Sequence, residues 1–450
     1  MSTGIEMRTD EAHELREVSA RLKARLCGRP TIGVIGLGYV GLPLAVAFGE
    51  SGADVIGVDR DERRAATIAG GGSITEDIAG ERVSALIGGN RLRVSRDVWS
   101  LKDADAIVIC VPTPLGKSRQ PDISYIEQAT EDVARILRPG QLIVLESTTY
   151  PGTTEDVLRP RLEASGLVAG RDFFLAFSPE RIDPGSRTHR LEDIPKVVGG
   201  VSPESLELVS ALYGRIVGKI VPVSSAETAE MVKVFENTFR AVNIALVNEL
   251  AIMCRRLGIS VWEVIRAAAT KPFGFMPFYP GPGLGGHCLP SDPHYLSWRL
   301  RLDGYEPRFI TFADDINRQM PGYVVQMVAD GLNDRERSLR GARVVVIGVA
   351  YKANVADTRD SPALEIIETL QRKGATVDYH DSFVATFNAG GTLLRSVDVT
   401  SADAASWDVV LILTAHDGCD WQRFARAGAL VVDTRNVTEG IQHSGNVIRL

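Results

Sequence analysis

Thr31-Ile32-Gly33-Val34-Ile35-Gly36-Leu37-Gly38-Tyr39-Val40-Gly41, followed by Leu42-Pro43-Leu44-Ala45-Val46-Ala47-Phe48, reads as a short apolar strand, a glycine turn and a helix. About 20 residues on, Ala53-Asp54-Val55-Ile56-Gly57-Val58-Asp59 reads as a second strand that ends in a carboxylate. That spacing is the dinucleotide-binding fingerprint. The glycines Gly36, Gly38 and Gly41 permit a tight turn and close backbone approach, and the pyrophosphate rests on the N–H groups of Tyr39, Val40 and the helix start. Asp59 is placed to accept the ribose hydroxyls of NAD and to repel the 2′-phosphate of NADP, with Arg60 beside it working the other way. A tight turn that binds nothing is the competing reading.

Outward from this unit, apolar runs continue at Ala106–Val111, Leu142–Leu145, Phe173–Phe177 and Val197-Val198. Helical stretches between them predict a doubly wound parallel α/β sheet. Three strand ends carry chemistry, at the edge where such sheets bind ligands. They are Pro112-Thr113-Pro114, then Glu146-Ser147-Thr148-Thr149, and Ser178-Pro179-Glu180-Arg181, which sets a carboxylate beside a guanidinium. Helix caps, turns or an exposed ion pair would explain any one of them. On the N-terminal side, Leu15, Val18, Leu22 and Leu26 fall at helical spacing in an otherwise polar extension, residues 1–30.

Ala226–Leu257 holds no proline or glycine and predicts one helix, about 45 Å long at 1.5 Å per residue. Lys233 and Asn237 share a face, and Asn237, Asn243 and Asn248 place amides where a helix ordinarily avoids them. Beyond it, Phe273–Asp292 is too rich in proline and glycine for regular structure and presents Cys288 after Gly285 and Gly286. Cys288 is either a nucleophile or a small buried hydrophobe. A metal site built from His287, Cys288, Asp292 and His294 lacks the usual ligand spacing, and no metal is expected. Phe278 and Tyr279 supply aromatic surface to the same loop.

A second strand-turn-helix series starts at Gly341–Gly348 with an incomplete glycine fingerprint. Its strands continue at Ala375–Tyr379, Val409–Leu413 and Leu430–Asp433, and Ser361-Pro362 cap a helix. Lys352, Arg359 and Arg435 fall near these strand ends as a diphosphate clamp or as surface ion pairs.

The chain has 450 residues, 44% hydrophobic and 24% charged, with a net charge of −7. That length implies two or three domains, and the acidic balance argues against nucleic acid as a partner. No apolar run reaches the roughly 18 residues of a membrane span, and the start lacks a signal-peptide core. Five scattered cysteines imply thiols in a reducing compartment, so a cytoplasmic enzyme without membrane contact is expected.

Two nucleotide-type sheets and a long helix would serve NAD and a second anionic ligand, and a cysteine is what alcohol oxidation needs to run on through aldehyde to acid. From about Thr31 to the C-terminus the sequence resembles the nucleotide-sugar 6-dehydrogenases. The matching motifs are Gly36–Gly41, Pro112-Thr113-Pro114, Ser147-Thr148, Ser178-Pro179-Glu180, Lys233 with Asn237, Gly285-Gly286-His287-Cys288 and Asp357-Thr358-Arg359. The resemblance implies that Cys288 is the nucleophile, Lys233 and Asn237 stabilise an oxyanion, Glu180 or Asp292 activates water and Thr148 orders it. It implies that Lys352 and Arg435 hold UDP, that Arg359 reaches the cofactor, that Glu180, Arg181, Gly285, Phe278 and Tyr279 line the sugar site, and that the long helix makes a homodimer or higher oligomer. The corresponding domains are 31–222 for NAD, 223–330 for the central region and 331–450 for the UDP-sugar.

UDP-glucose enzymes of this family carry an arginine shortly before the cysteine loop, where this chain has Thr270-Lys271-Pro272-Phe273-Gly274-Phe275. That segment looks like the N-acetylhexosamine branch. Ser178–Gly185 looks more like the UDP-N-acetylglucosamine than the UDP-N-acetylmannosamine enzymes. A two-electron hydroxy-acid dehydrogenase is the alternative of a different class, and it would leave Cys288 idle.

Overall fold

A computed structural model describes residues 9–75, 78–116, 119–181, 190–399, 406–426 and 428–450. The chain divides into two compact units, Met1–Glu236 with Arg301–Asp303, and Asn237–Leu300 with Gly304–Leu450. The expected α/β architecture is present in both.

The first unit holds eight strands: β1 (Thr31–Ile35), β2 (Asp54–Val58), β3 (Leu92–Ser95), β4 (Ala106–Ile109), β5 (Leu142–Leu145), β6 (Phe174–Phe177), β7 (Lys196–Gly200) and β8 (Ile220–Val223). Their order is β3-β2-β1-β4-β5-β6-β7-β8. β1 pairs in parallel with β2 on one side and β4 on the other, Ile35 standing opposite both Val58 and Ile109. The strand order reverses there, which is where such sheets open a ligand crevice. Strand residues alternate between two cores: Ile32, Val34, Val108, Val144 and Ala176 face one, and Ile107, Ile109, Ile143, Leu145 and Phe177 face the other. Burial on both faces explains why the strands read as unbroken apolar runs. The helix Thr9–Cys27 buries Leu15, Leu22 and Leu26 in the first of these cores.

One pairing departs from the expected parallel sheet. β7, recognised from Val197-Val198, runs antiparallel to β6, with Ala176 opposite Gly200 and Phe177 opposite Gly199. An antiparallel neighbour needs no crossover helix, so nothing in the local sequence advertises the reversal.

The long helix is continuous over Ala226–Leu257, and the boundary between the units falls within it. In the second unit β9 (Arg343–Ile347), β10 (Thr376–His380), β13 (Val409–Ile412), β14 (Leu430–Asp433) and β15 (Val447–Arg449) form a parallel sheet of order β10-β9-β13-β14-β15. β11 (Thr386–Ala389) and β12 (Thr392–Arg395) make a separate hairpin. Val344, Val346 and Leu411 face one core, and Val345, Ile347 and Ile412 the other.

Candidate active site

The glycine turn has the shape the sequence predicts. Gly36 takes φ +88°, and a β-carbon there would stand 2.5 Å from the Cys110 carbonyl oxygen. At position 41 it would stand 1.8 Å from the Gly36 oxygen, whereas Gly38 has nothing within 4 Å. Two glycines are therefore required by the chain itself, and the third leaves open room for a ligand. The helix Gly41–Glu50 starts with no side-chain cap, and Leu42 N donates to the Gly38 carbonyl at 3.1 Å, so what the helix start offers an anion is the positive end of its dipole. Asp59, buried, accepts from Leu37 N and Asp61 N at 2.9 Å and pairs with Arg64 Nη1 at 3.0 Å. Arg64 was not singled out from the sequence. Arg60 turns to Asp132 at 2.5 Å.

Around the exits of β4, β5 and β6 lie Thr113, Ser147, Thr148 and Glu180, with Thr113, Ser147 and Glu180 buried. The turn after Thr148 is held from the long helix, where Glu230 accepts from Gly152 N at 2.6 Å and from Thr154 N and Oγ1 at 2.8 and 2.6 Å. Lys233 Nζ donates to the Glu180 carbonyl at 2.5 Å. Arg181 does not pair with its neighbour Glu180 through its guanidinium. Instead Nη2 meets Glu236 at 2.5 Å and Nη1 donates to the Pro195 carbonyl at 2.7 Å, tying this strand exit to the long helix. Ile182-Asp183-Pro184-Gly185 lies outside the described residues.

In the second unit the cysteine loop leads straight into a helix, Asp292–Leu302. The Cys288 carbonyl accepts from Ser291 N at 3.1 Å and Asp292 N at 2.8 Å, which sets Cys288 one turn before Asp292. Asp292 is buried and takes a hydrogen bond from the Asn237 amide, while Cys288 is exposed. The sequence candidates Asn237 and Asp292 are thus in contact. Gly285 and Gly286 are also required by the packing of the loop itself. β-Carbons there would lie 2.7 and 2.8 Å from Tyr351, and Gly286 N donates to the Arg359 carbonyl at 3.0 Å. Burial, with help from Arg359, lowers the His287 pKa, which leaves its imidazole neutral at pH 7. His294 lies 3.4 Å from Asp314.

Arg435 is partly buried beside the loop, where a β-carbon on Gly281 would stand 2.7 Å from Nη1. Its Nε donates to the Leu413 carbonyl at 2.7 Å, and desolvation brings its pKa down to about 10, still charged at neutral pH. A charge held in such surroundings favours an anionic ligand. Lys352 is also partly buried, and Arg359 grips Asp357 with Nε and Nη2 at 3.0 and 2.6 Å. Phe278 meets Phe239 edge-on at 5.8 Å, and Tyr279 stacks on Trp262 at 6.0 Å.

Three models of the UDP-glucose/GDP-mannose dehydrogenase family match the chain: the NAD binding domain over residues 30–217, the central domain over 227–319 and the UDP binding domain over 345–440. The chain belongs to this family. It is 37% identical to the UDP-N-acetyl-D-glucosamine 6-dehydrogenase of Pseudomonas aeruginosa, over 86% of this chain and 90% of that one. It is 36% identical to the UDP-N-acetyl-D-mannosamine dehydrogenase of Pyrococcus horikoshii, over 90% and 95%. A solved structure of the UDP-D-ManNAc dehydrogenase from Pyrococcus horikoshii superposes with a TM-score of 0.84, covering 93% of this chain and 98% of that one at 34% identity.

This chain is therefore an NAD-dependent nucleotide-sugar 6-dehydrogenase with a UDP-sugar substrate. The open room at Gly38 and the uncapped helix start fit the cofactor's pyrophosphate. In this nucleotide-sugar dehydrogenase the sequence reading missed a buried group. Lys196, Glu146 and Tyr213 join beneath Glu180, with Lys196 Nζ and the Tyr213 hydroxyl both bonded to the Glu146 carboxylate. The signal was a lysine opening an apolar strand, which reads as an exposed strand end unless the sheet order is known. The amide of Asn248 is also accounted for. Buried, it donates to Asn317 Oδ1 at 2.9 Å and accepts from Gly281 N at 2.9 Å, fastening the cysteine loop to the long helix.

Proposed function

We propose that the enzyme oxidises the C6 hydroxymethyl group of a UDP-N-acetylhexosamine, UDP-N-acetylglucosamine foremost, to the uronic acid through a covalent adduct on Cys288. The observation that carries the covalent route is the exposed Cys288 one turn before the bonded pair Asn237 and Asp292. Bound NAD supplies a two-electron acceptor for each oxidation. The Cys288 sulfur adds to the C6 aldehyde, and Lys233 and Asn237 donate to the oxygen that gains charge, each such donor contributing about 3 kcal/mol in comparable sites. Oxidation of that thiohemiacetal leaves a thioester, which water cleaves with Glu180 or Asp292 as base and Thr148 as its orienting hydroxyl. Asp59 takes the ribose, Thr113 and Arg359 complete the cofactor site, and Lys352 and Arg435 take the diphosphate. Domains 31–222, 223–330 and 331–450 divide this work as NAD-binding, central and UDP-sugar-binding regions.

Relatives named for both N-acetylated sugars support the branch. So does the stretch Thr270–Phe275, which carries Phe273 and Phe275 in place of an arginine. An acetamido group adds a methyl and an amide at C2, and a site that combines apolar surface with a hydrogen-bonding partner discriminates by roughly 10- to 200-fold from apolar fit alone. Steady-state kinetics with UDP-N-acetylglucosamine, UDP-N-acetylmannosamine and UDP-glucose test this. The first is expected to have the highest kcat/KM; UDP-glucose in that place would overturn the branch, and UDP-N-acetylmannosamine only the stereochemistry. Two NADH are expected per sugar, and Cys288→Ser is expected to lose nearly all uronic acid formation. A ratio of one would instead favour hydroxy-acid chemistry.

A further inference from the structure

The antiparallel return of β7 has a chemical consequence at Lys196. Phe177 pairs with Gly199, and continuing that register by three residues sets Lys196, the first residue of β7, opposite Glu180. Its side chain is 3% exposed. Nζ lies 3.5 Å from Glu180 Oε2, bonds Glu146 and sits 4.9 Å above the Tyr213 ring. Glu146, fully buried, takes the Tyr213 hydroxyl on its other oxygen. The Ser178 hydroxyl donates to the Val197 carbonyl at 2.9 Å, which locks the exit of β6 onto β7. One ammonium is thus shared by two carboxylates that come from different strand ends. Glu146 precedes Ser147-Thr148, and Glu180 is held from outside by Lys233.

We propose that Lys196 is a positioning residue for thioester hydrolysis, holding the Glu180 carboxylate ionised and oriented while Glu146 and Tyr213 fix the ammonium in place. This rests on the reading of Glu180 as the group that activates water. A buried cation next to a carboxylate favours the ionised form by about one to three pH units, and a nearby second carboxylate opposes it. Among the described residues, the charged or titratable groups around Glu180 include Arg181, turned to Glu236, Lys233 on the Glu180 carbonyl, and the buried Cys110, whose thiol burial pushes well up and keeps protonated. Burial raises the Glu146 pKa to about 7 against the pull of Lys196. The two carboxyl groups therefore compete for one positive charge across the working pH range.

The experiment compares kcat–pH profiles and the NADH burst of the full-length enzyme and its variants. Lys196→Met is expected to lower kcat at least 10-fold with KM for the UDP-sugar within about 3-fold, and to move the acid limb of kcat up by about one pH unit. The burst should persist and acyl-enzyme should accumulate, visible by mass spectrometry as a sugar adduct on Cys288. Lys196→Arg should restore the limb. Removing Lys196 leaves two buried carboxylates without their cation, so this variant can fail to fold. Glu146→Gln, which gives the ammonium to Glu180 alone, then carries the test and should move the acid limb down. An acid limb unmoved in every folded variant overturns the proposal. Glu180→Gln separates the underlying reading: if it turns over like wild type with no trapped adduct, Glu180 is not the base, whatever the Lys196 variants do.

Discussion

At the scale of single residues, Asp59 joins an observed job to a proposed one in one side chain. Its carboxylate braces the glycine turn through Leu37 N and balances the Arg64 guanidinium. It is also the group assigned to the ribose. Asp59→Asn keeps an oxygen for Leu37 N and removes the charge, which frees Arg64 to attract a 2′-phosphate. The unmutated enzyme should prefer NAD to NADP in kcat/KM, and the variant should narrow that preference by about tenfold, an energy near 1.4 kcal/mol. Equal use of both cofactors by the unmutated enzyme would remove Asp59 from the ribose site. Asn248 is a residue-scale case of the opposite kind, since its place on the helix was visible and its purpose was not. Its partners, Asn317 and Gly281, lie 69 and 33 residues away. Asn248→Leu leaves Gly281 N buried without an acceptor and should cost about 1–3 kcal/mol, measured as a lowered urea midpoint.

At the scale of elements, one device is built twice. Gly348 follows β9 as Gly36 follows β1, with φ +83° and a β-carbon position 2.5 Å from the Thr414 carbonyl oxygen. Asp381 follows β10 as Asp59 follows β2, and its Oδ2 accepts from Val349 N and Ala350 N at 2.8 and 3.0 Å. In the second sheet the aspartate is closed off. His416 Nε2 donates to it at 3.0 Å, a tautomer set by Asn354 N donating to Nδ1, and the Phe383 ring covers the imidazole at 4.9 Å. Burial raises the Asp381 pKa, but the hydrogen bonds from His416 and the amides of Phe383 and Ala350 outweigh it and hold the group below the usual carboxyl range. A folded pKa below the unfolded one gives stability that is complete above about pH 4 and fades as pH falls through the folded value. Asp381→Asn should therefore cost about 2 kcal/mol between pH 5 and 7, and the difference from wild type in urea melts should shrink below pH 4. A difference that stays constant down to pH 3 would contradict the brace. The first copy was legible because its glycine, apolar run and aspartate fall within about 25 residues, whereas Asp381 stands 33 residues after Gly348 and was not read from the sequence. The hairpin β11–β12, the edge strands β3, β8 and β15, and the Lys196–Glu146 contact were not legible either. The strands are three to four residues long and, unlike the equally short β4, β5 and β6, are broken by polar residues or proline, so neither an apolar run nor period-2 patterning registers, and Lys196 and Glu146 are 50 residues apart, joined only by sheet order.

At the scale of the whole molecule, the long helix leaves a face uncovered. Met231, Phe235, Phe239, Leu246, Met253 and Leu257 are each between 39 and 72% exposed. At 3.6 residues per turn they fall within an arc of about 80°, a continuous apolar stripe over seven turns. Single exposed apolar residues are ordinary, but a stripe of this length is the mark of an interface. The reading that best fits its occupant is a second copy of the same chain. A straight helix offers the same stripe to itself across a two-fold axis, and isologous pairing is the commonest solution for soluble oligomers. The enzyme should therefore sediment at micromolar concentration with at least twice the 48.7 kDa of one chain. Phe235→Glu with Leu246→Glu should split the assembly, because four like charges would face one another in the paired stripe, while glutamate keeps the helix itself intact. Circular dichroism unchanged with a halved mass is the expected result. A wild-type protein that sediments as a monomer, or a double variant that keeps its mass, would place the interface elsewhere and leave the stripe to a different partner.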